Sequence, residues 1–130
     1  MVESGKVRTL EMRVLLIDDD EAVREGMLHL LKDWGCECAV AESIEEALAL
    51  ARIEVPDMII SDYRLREQRT GIEAIATLRE LLGEALPALL ITGDTGPERL
   101  REALASGIPL LHKPVSPSQL YRGLDSLLSL

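Results

Sequence analysis

Aromatic residues are nearly missing from this chain of 130 residues: Phe does not occur, and the class is represented only by Trp34, Tyr63 and Tyr121. Because 47% of the residues are nevertheless apolar, the core must be built from aliphatic side chains. Such a core argues against an aromatic ligand box. The length suits one domain that buries a core of its own.

Basic residues, long apolar runs and cysteines are also scarce. A formal net charge of -9 argues against a protein that binds the nucleic-acid backbone, although it does not exclude a basic protein partner. No run approaches the ~20 apolar residues of a membrane span, and the first residues given do not contain the apolar h-region of a signal peptide. Cys36 and Cys38 lie too close in one strand for an unstrained disulfide. We therefore expect a soluble, cytoplasmic domain with reduced thiols and no nucleic-acid or membrane contact.

Short aliphatic runs alternate with helical patterns along the chain. Residues 1–12 are polar and aperiodic, which indicates a linker or a remnant of cloning, and the regular pattern of a single domain covers residues 13–130. Runs that continuous are typical of strands buried on both faces in a parallel sheet. The five runs span residues 14–17, 36–41, 58–61, 88–92 and 109–112.

Each run is followed by apolar residues at helical spacing, with helix-start or helix-stop residues at the ends. Ser43 and Glu46 form a possible capping box, Pro97 suits a first helical turn, and Ser116 precedes Pro117 at the last helix. Five strand–helix repeats predict a three-layer α/β fold. The predicted apolar stripes contain Ala22, Val23, Met27, Leu30, Leu31 and Trp34; Ile72, Ile75, Leu78 and Leu82; Leu100, Ala103 and Leu104; and Leu120, Leu124, Leu127 and Leu128.

Chemically active side chains stand where the predicted strands end, and ligands of open parallel sheets bind at that edge. These residues are Asp18, Asp19 and Asp20 after the first strand, Asp62 after the third, Thr92 after the fourth, and His112 and Lys113 after the fifth. Each is ordinary when taken alone. An Asp run commonly caps a helix, as we expect of Asp20, and an aspartate or lysine before a loop commonly serves a turn. Their joint occurrence at adjacent strand ends indicates a site.

Several carboxylates at one edge require a counter-charge. Two unit charges about 4 Å apart repel by ~4 kcal/mol at an effective dielectric constant of 20, so either protons or a cation must be shared. Oxygen ligands of this kind suit Mg²⁺. With Lys113 and Thr92 to meet phosphoryl oxygens, Asp62 would be a nucleophile for phosphoryl transfer.

The motifs resemble those of response-regulator receiver domains from about Met12 to the end of the chain. The resemblance rests on Leu-Leu-Ile-Asp-Asp-Asp ending at Asp20, Ile-Ser-Asp-Tyr around Asp62, Ile-Thr-Gly around Thr92, and His-Lys-Pro around Lys113. It implies a flavodoxin-like (βα)5 sandwich whose parallel five-stranded sheet has the order 2-1-3-4-5. Chemotaxis receivers are an example of this strand order.

The resemblance also implies a role for each residue. Asp62 would accept the phosphoryl group from a phosphohistidine, while Thr92 and Lys113 would bind its oxygens. Mg²⁺, or in its place Mn²⁺, would be held by Asp18, Asp19, Asp62 and the backbone carbonyl of Arg64. The Lys113–Pro114 peptide bond would be cis. The domain would be a phosphorylation switch with self-catalysed transfer and hydrolysis.

Three positions depart from the usual family pattern. The loop at residues 65–71 is one residue longer and more charged than usual. Leu110 stands where a Tyr or Phe commonly swings inward on activation, so a signal must travel by loop and helix displacement. Gly93 replaces a frequent Ala, which makes that loop more permissive.

The particular residues of these motifs are most similar to those of receiver domains fused to hybrid sensor histidine kinases. In that case the parent protein would be an enzyme. The alternatives are a free-standing single-domain regulator, an Asp-nucleophile phosphohydrolase, whose Gly-Thr motif and cap domain this chain lacks, and a binding-only pseudo-receiver. Implied partners are a histidine kinase or its dimerisation and phosphotransfer domain, a downstream histidine phosphotransferase and a second copy in a homodimer. The usual signalling face would include Leu100, Leu110, Gln119 and Tyr121.

Overall fold

The computed structural model describes residues 9–93 and 96–128. Five strands form one parallel sheet in the order β2-β1-β3-β4-β5, so the predicted topology is confirmed. The strands are β1 (Arg13–Ile17), β2 (Glu37–Ala41), β3 (Met58–Asp62), β4 (Ala88–Thr92) and β5 (Leu110–His112). The helices are α1 (Glu21–Asp33), α2 (Ile44–Ile53), α3 (Gly71–Leu82), α4 (Pro97–Ala105) and α5 (Pro117–Leu128).

Alternating residues of the central strands face two separate cores, as the period-2 geometry of a strand requires. Leu15 and Ile17 of β1 join the core beneath α2 and α3, whereas Val14 and Leu16 join the core beneath α1 and α5. β1, β3 and β4 are thus covered on both faces. β2 and β5 are only partly buried because they are the edges of the sheet, which corrects the expectation of five fully buried strands.

The helix starts follow ordinary capping chemistry. Asp20 accepts from the backbone N–H groups of Ala22 and Val23, as predicted, and Ser43 accepts from the N–H of Glu46. The Glu46 carboxylate accepts from the N–H of Glu42, so the predicted box at Ser43 is shifted by one residue.

Two further helix starts carry a complete capping box. At α3, Thr70 and Glu73 exchange hydrogen bonds between their side chains and backbone N–H groups, a capping box that was not among the predictions from the sequence. At α5, Ser116 and Gln119 make the same reciprocal pair. These bonds satisfy backbone donors that have no partner within the helix.

Some predicted apolar positions lie outside the core. In α4 only Ala103 is buried and Leu104 is 73% exposed, so the predicted stripe is wrong at that residue. In α5, Leu128 is 46% exposed. No helix among the described residues is long and apolar enough to cross a bilayer. Cys36 and Cys38 are free thiols.

The packed part of the chain begins before the predicted boundary at residue 13. Leu10 and Met12 are buried in the core beneath α1 and α5, and the N–H of Leu10 donates to the carbonyl of Trp34. Residues 1–8 of the predicted linker and residues 129–130 lie outside the described residues. Among the described residues, packing against the core therefore extends back to Leu10, and the limits of the domain stay a prediction.

Candidate functional site

The register of the sheet brings the predicted site residues to one edge. Ile17 pairs with Ser61, Asp62 with Ile91, and Thr92 with His112. Since the strands are parallel, the chain leaves each of them at the same edge, where Asp18, Asp62, Thr92 and Lys113 lie. This arrangement follows from strand length and register.

Asp18 is the most enclosed carboxylate at this edge, with 1% of its surface exposed. Its Oδ1 atom accepts from the N–H of Asp20 at 2.9 Å. The pKa of Asp18 is raised to about 6, chiefly by burial and also by the neighbouring charges of Asp62 and Asp19, while the hydrogen bond from the N–H of Asp20 and the charge of Lys113 act in the opposite direction. The folded protein thus holds a negative charge here at a cost in stability.

Asp62 is paired with Lys113. The Nζ atom of Lys113 lies 3.2 Å from Oδ1 of Asp62 and 4.0 Å from Oδ2 of Asp18. Burial nevertheless raises the pKa of Asp62, because one cation offsets the loss of solvent only in part. The Lys113–Pro114 bond is cis, as predicted. The N–H of Lys113 donates to the carbonyl of Thr92 at 2.8 Å, which anchors the lysine to β4.

Three carboxylates at this edge could hold one metal ion. Asp18, Asp19 and Asp62 each offer an oxygen, and these oxygens lie within 4.8 Å of one another. Asp18 and Asp62 are buried with raised pKa values, so a cation between them would relieve both burial and mutual repulsion. An all-oxygen donor set of this kind fits Mg²⁺ or Mn²⁺.

Thr92 and Arg64 flank this cluster. Thr92 is 3% exposed at the last position of β4. Arg64 lies two residues beyond Asp62, where it forms an antiparallel bridge with Thr70. The predicted contacts of the Thr92 hydroxyl and the Arg64 carbonyl with a phosphoryl group and a metal stay predictions.

The charged loop after Asp62 is a tight turn. The turn at Arg66–Gln68 has left-handed rather than 3₁₀-helical backbone, because Glu67 and Gln68 have φ values of 59° and 60°. The N–H of Arg69 donates to the carbonyl of Arg66, and the N–H of Leu65 donates to that of Arg69. Two consecutive left-handed residues closing an antiparallel pair have the geometry of a type I′ turn, which normally selects Asn-Gly. This turn contains neither residue.

Gly71 allows the backbone to come close to the end of β3. A Cβ atom on Gly71 would lie 2.3 Å from the carbonyl oxygen of Asp62 and 2.8 Å from the Ser61 Oγ atom. The N–H of Gly71 donates to the carbonyl of Tyr63. The first residue of α3 thereby packs directly against the strand end that carries Asp62.

Two neighbours of the site were missed in the sequence. The buried hydroxyl of Tyr63 donates to the carboxylate of Glu102 in α4. Arg24 in α1 donates from Nη1 to the carbonyl of Asp18 at 2.8 Å. No local motif predicts the Tyr63 contact, since its partner lies 39 residues away. For the contact of Arg24, the one signal in the sequence was its short distance along the chain from the run of aspartates.

Known proteins resemble this chain in sequence and in fold. The family model described as "Response regulator receiver domain" matches residues 14–125. An uncharacterised 14.6 kDa protein of Leptolyngbya boryana is 39% identical over 114 residues, which cover 86% of either chain. The transcriptional regulatory protein ZraR of Salmonella typhimurium is 34% identical over 119 residues, 89% of this chain but 26% of the relative. The chain therefore spans about a quarter of that regulator's length.

Solved structures of receiver proteins have the same fold as this chain. The chemotaxis protein CheY4 of Vibrio cholerae has a TM-score of 0.80 at 33% identity, with 91% of this chain and 99% of that one covered. A CheY-like response regulator receiver domain protein of Methanospirillum hungatei has a TM-score of 0.80 at 25% identity, covering 92% of this chain and 95% of the other.

Proposed function

Because the chain belongs to the receiver-domain family of two-component response regulators, we propose that Asp62 accepts a phosphoryl group from the phosphohistidine of a partner kinase. Receiver domains in general interact with histidine kinases or phosphotransfer proteins. The observation that best supports Asp62 is its ion pair of 3.2 Å with Lys113, beside two further carboxylates. A buried carboxylate with a raised pKa is also a stronger nucleophile than a solvated one.

In the proposed step, a carboxylate oxygen of Asp62 attacks the phosphorus atom and an O–P bond forms. The P–N bond to the imidazole breaks, its electron pair stays on the nitrogen, and solvent supplies the proton. Lys113 is placed to stabilise the charge on the phosphoryl oxygens, and the Thr92 hydroxyl would donate to one of them. Hydrolysis of the acyl phosphate returns Asp62 to the carboxylate.

Asp18, Asp19, Asp62 and the carbonyl of Arg64 would hold Mg²⁺, with Mn²⁺ as a substitute. When bound, the ion supplies positive charge that offsets the repulsion between these carboxylates and the phosphoryl oxygens. This assignment is supported by the three oxygens within 4.8 Å of one another. The buried position of Asp18 adds support, because its charge is otherwise costly to keep.

The response to phosphorylation would travel by displacement of loops and helices. Leu110 is a half-buried residue of β5 and offers no ring that could rotate inward. Tyr63, directly after Asp62, instead contacts α4 through Glu102. A movement of the β3 end can thereby reach α4, whose Leu104 is exposed and available to a partner or to a second copy of the chain.

The proposal extends to the protein that contains this domain. We keep the hybrid histidine kinase as the expected context, with transfer onward to a histidine phosphotransferase. The similarity to a relative of 14.6 kDa supports the free-standing alternative. Either context places the domain where ATP-dependent kinases act, in the cytoplasm. Reading the gene upstream of Met1 decides between them: a kinase core in the same frame supports the hybrid, and a stop codon contradicts it.

Acetyl phosphate tests the acceptor assignment. The wild type, Asp62→Asn and the exposed control Asp33→Ala would be treated with acetyl phosphate and Mg²⁺ and weighed as intact proteins. We expect one added phosphoryl group on the wild type and the control, and none on Asp62→Asn. Equal labelling of all three proteins would contradict the role of Asp62. Because some receivers respond only to their kinase, beryllofluoride binding is the parallel measurement.

A further inference from the structure

The guanidinium of Arg24 in α1 joins two loops at the edge of the site. Its Nη1 atom donates to the carbonyl of Asp18 at 2.8 Å, and its Nη2 atom lies 3.4 Å from Oε1 of Glu42. The side chain of Arg24 is only 14% exposed. A partly buried arginine that uses both ends of its planar fork holds its partners in a defined geometry, because the fork is rigid.

Arg24 completes the set of bonds around Asp18. The N–H of Asp18 donates to the carbonyl of Ala41 at 3.1 Å, and its Oδ1 accepts from the N–H of Asp20. Without Arg24, the Asp18 carbonyl would lose the one partner described here, and the peptide that leads to Asp19 would be free to turn. The direction of the Asp19 carboxylate depends on that peptide.

Glu42 is itself fixed at the end of β2. Its N–H donates to the Glu46 carboxylate at 2.6 Å, and its own Oε1 also lies 3.4 Å from Nη2 of Arg66. One carboxylate oxygen thus joins α1 to the turn after Asp62. The Arg66 side chain is 54% exposed, so its ion pair with Glu42 is weaker than that of Arg24 with Glu42.

We propose that Arg24 is a positioning residue that holds the Asp18–Asp20 segment in the geometry needed to bind a divalent cation. The inference rests on the proposed function of this edge as a metal and phosphoryl site. The contacts described for Arg24 are with the Asp18 carbonyl and with Glu42, and not with the three carboxylates that would hold the metal. It acts through the backbone of Asp18, and Glu42 holds the other end of its fork.

Geometry and charge predict opposite effects when Arg24 is replaced, which makes the proposal testable. A guanidinium near a cation site repels the cation, so removal of the charge alone would tighten Mg²⁺ binding. Loss of positioning would weaken it, and outer-shell partners of metal ligands typically contribute about tenfold or more to metal affinity. The sign of the change therefore separates the two explanations.

Calorimetric titration of the 130-residue chain with Mg²⁺ alone gives the dissociation constant. We expect Arg24→Gln to bind about tenfold more weakly. Arg24→Lys should also bind more weakly, because an ammonium keeps the charge but cannot replace the fork. Arg13→Gln is the matched control: Arg13 pairs with Glu37 and Glu54 at the other end of β1, and its loss should leave the affinity within about twofold. Unchanged or tighter binding by Arg24→Gln overturns the proposal.

Amide hydrogen exchange without metal gives a second readout. The N–H of Asp20, which donates to Oδ1 of Asp18, should exchange about tenfold faster in Arg24→Gln, while the strand amide of Leu16 stays as in the wild type. An unchanged rate at Asp20 overturns the positioning role even if metal binding falls. A wild type that binds no Mg²⁺ contradicts the proposed metal site, and the exchange rates then decide the role of Arg24 alone.

Discussion

Replacing Asp18 by Asn should stabilise the metal-free protein at neutral pH. Asp18 is 1% exposed, and burial raises its pKa from 3.8 to about 6. This difference corresponds to roughly 3 kcal/mol of lost stability once the group is ionised. Asn keeps the shape and the oxygen that accepts from the N–H of Asp20 but carries no charge. The pKa of about 6 already includes the opposing attraction of Lys113, and the buried Asn amide still has to be satisfied, so we expect a net gain of about 1–3 kcal/mol.

The pH dependence of unfolding gives an independent test of whether ionised Asp18 stabilises or destabilises the folded protein. The folded protein binds the proton of Asp18 more tightly than the unfolded chain, so unfolding releases this proton between pH 4 and pH 6. The contribution of Asp18 to stability is therefore complete below about pH 4 and is lost as the pH rises through about 6. Urea unfolding in EDTA from pH 4 to pH 8 should show this decline in the wild type, and a smaller one in Asp18→Asn.

Mg²⁺ should offset most or all of the stability advantage of Asp18→Asn. At a hundred times the dissociation constant, an ion that binds only the folded state adds about 2.7 kcal/mol. The wild type should gain this amount and Asp18→Asn much less. The exposed Glu25→Gln in the neighbouring α1 controls for the change in net charge and should alter stability by less than about 0.5 kcal/mol. If Asp18→Asn is no more stable than the wild type in EDTA at pH 7.5, the reasoning about burial is refuted.

Three further predictions, one of them with a matched control, have defined outcomes. Gly71→Ala should destabilise by about 1–3 kcal/mol, because its Cβ would meet the Asp62 carbonyl at 2.3 Å. The control Gly123→Ala, whose nearest contact is 3.5 Å, should instead stabilise α5 by about 0.5–1 kcal/mol in urea unfolding. The double change Glu67→Asn and Gln68→Gly should stabilise the turn by about 1–2 kcal/mol, and no gain would contradict its left-handed geometry. Lys113→Ala should keep the fold but reduce the amide shift changes on adding beryllofluoride and Mg²⁺; wild-type changes would contradict its role.

The sequence predicted those parts of the fold and site that depend on order along the chain. Periodic apolar runs located the strands to within a residue or two, and parallel strands necessarily bring their carboxyl ends to one edge. Asp18, Asp62, Thr92 and Lys113 could therefore be placed together although up to 95 positions separate them. The strand order itself came from the family resemblance.

What the sequence left out depends on side-chain conformation in three dimensions. The contact of Arg24 with Glu42 requires the end of β2 to lie beside α1, which spacing alone does not reveal. Glu67 and Gln68 have left-handed backbone conformations although neither is Asn or Gly, the residues typical of such a turn. The turn could therefore not be predicted from the sequence. Leu104 fits the helical period but is exposed, because α4 buries only Ala103. Helical periodicity predicts which face of a helix is apolar, but it does not show whether another part of the protein packs against that face.

The most direct test is to locate the phosphoryl group chemically. Wild-type protein treated with acetyl phosphate and Mg²⁺ would be reduced with borohydride, which converts an aspartyl phosphate to homoserine, then digested and sequenced by mass spectrometry. One carboxylate oxygen from each of Asp18, Asp19 and Asp62 lies within 4.8 Å of the others, so only a residue-level readout distinguishes them. We expect homoserine at position 62 alone. Homoserine at position 18 or 19, with position 62 unmodified, would contradict the assignment of Asp62 as the acceptor.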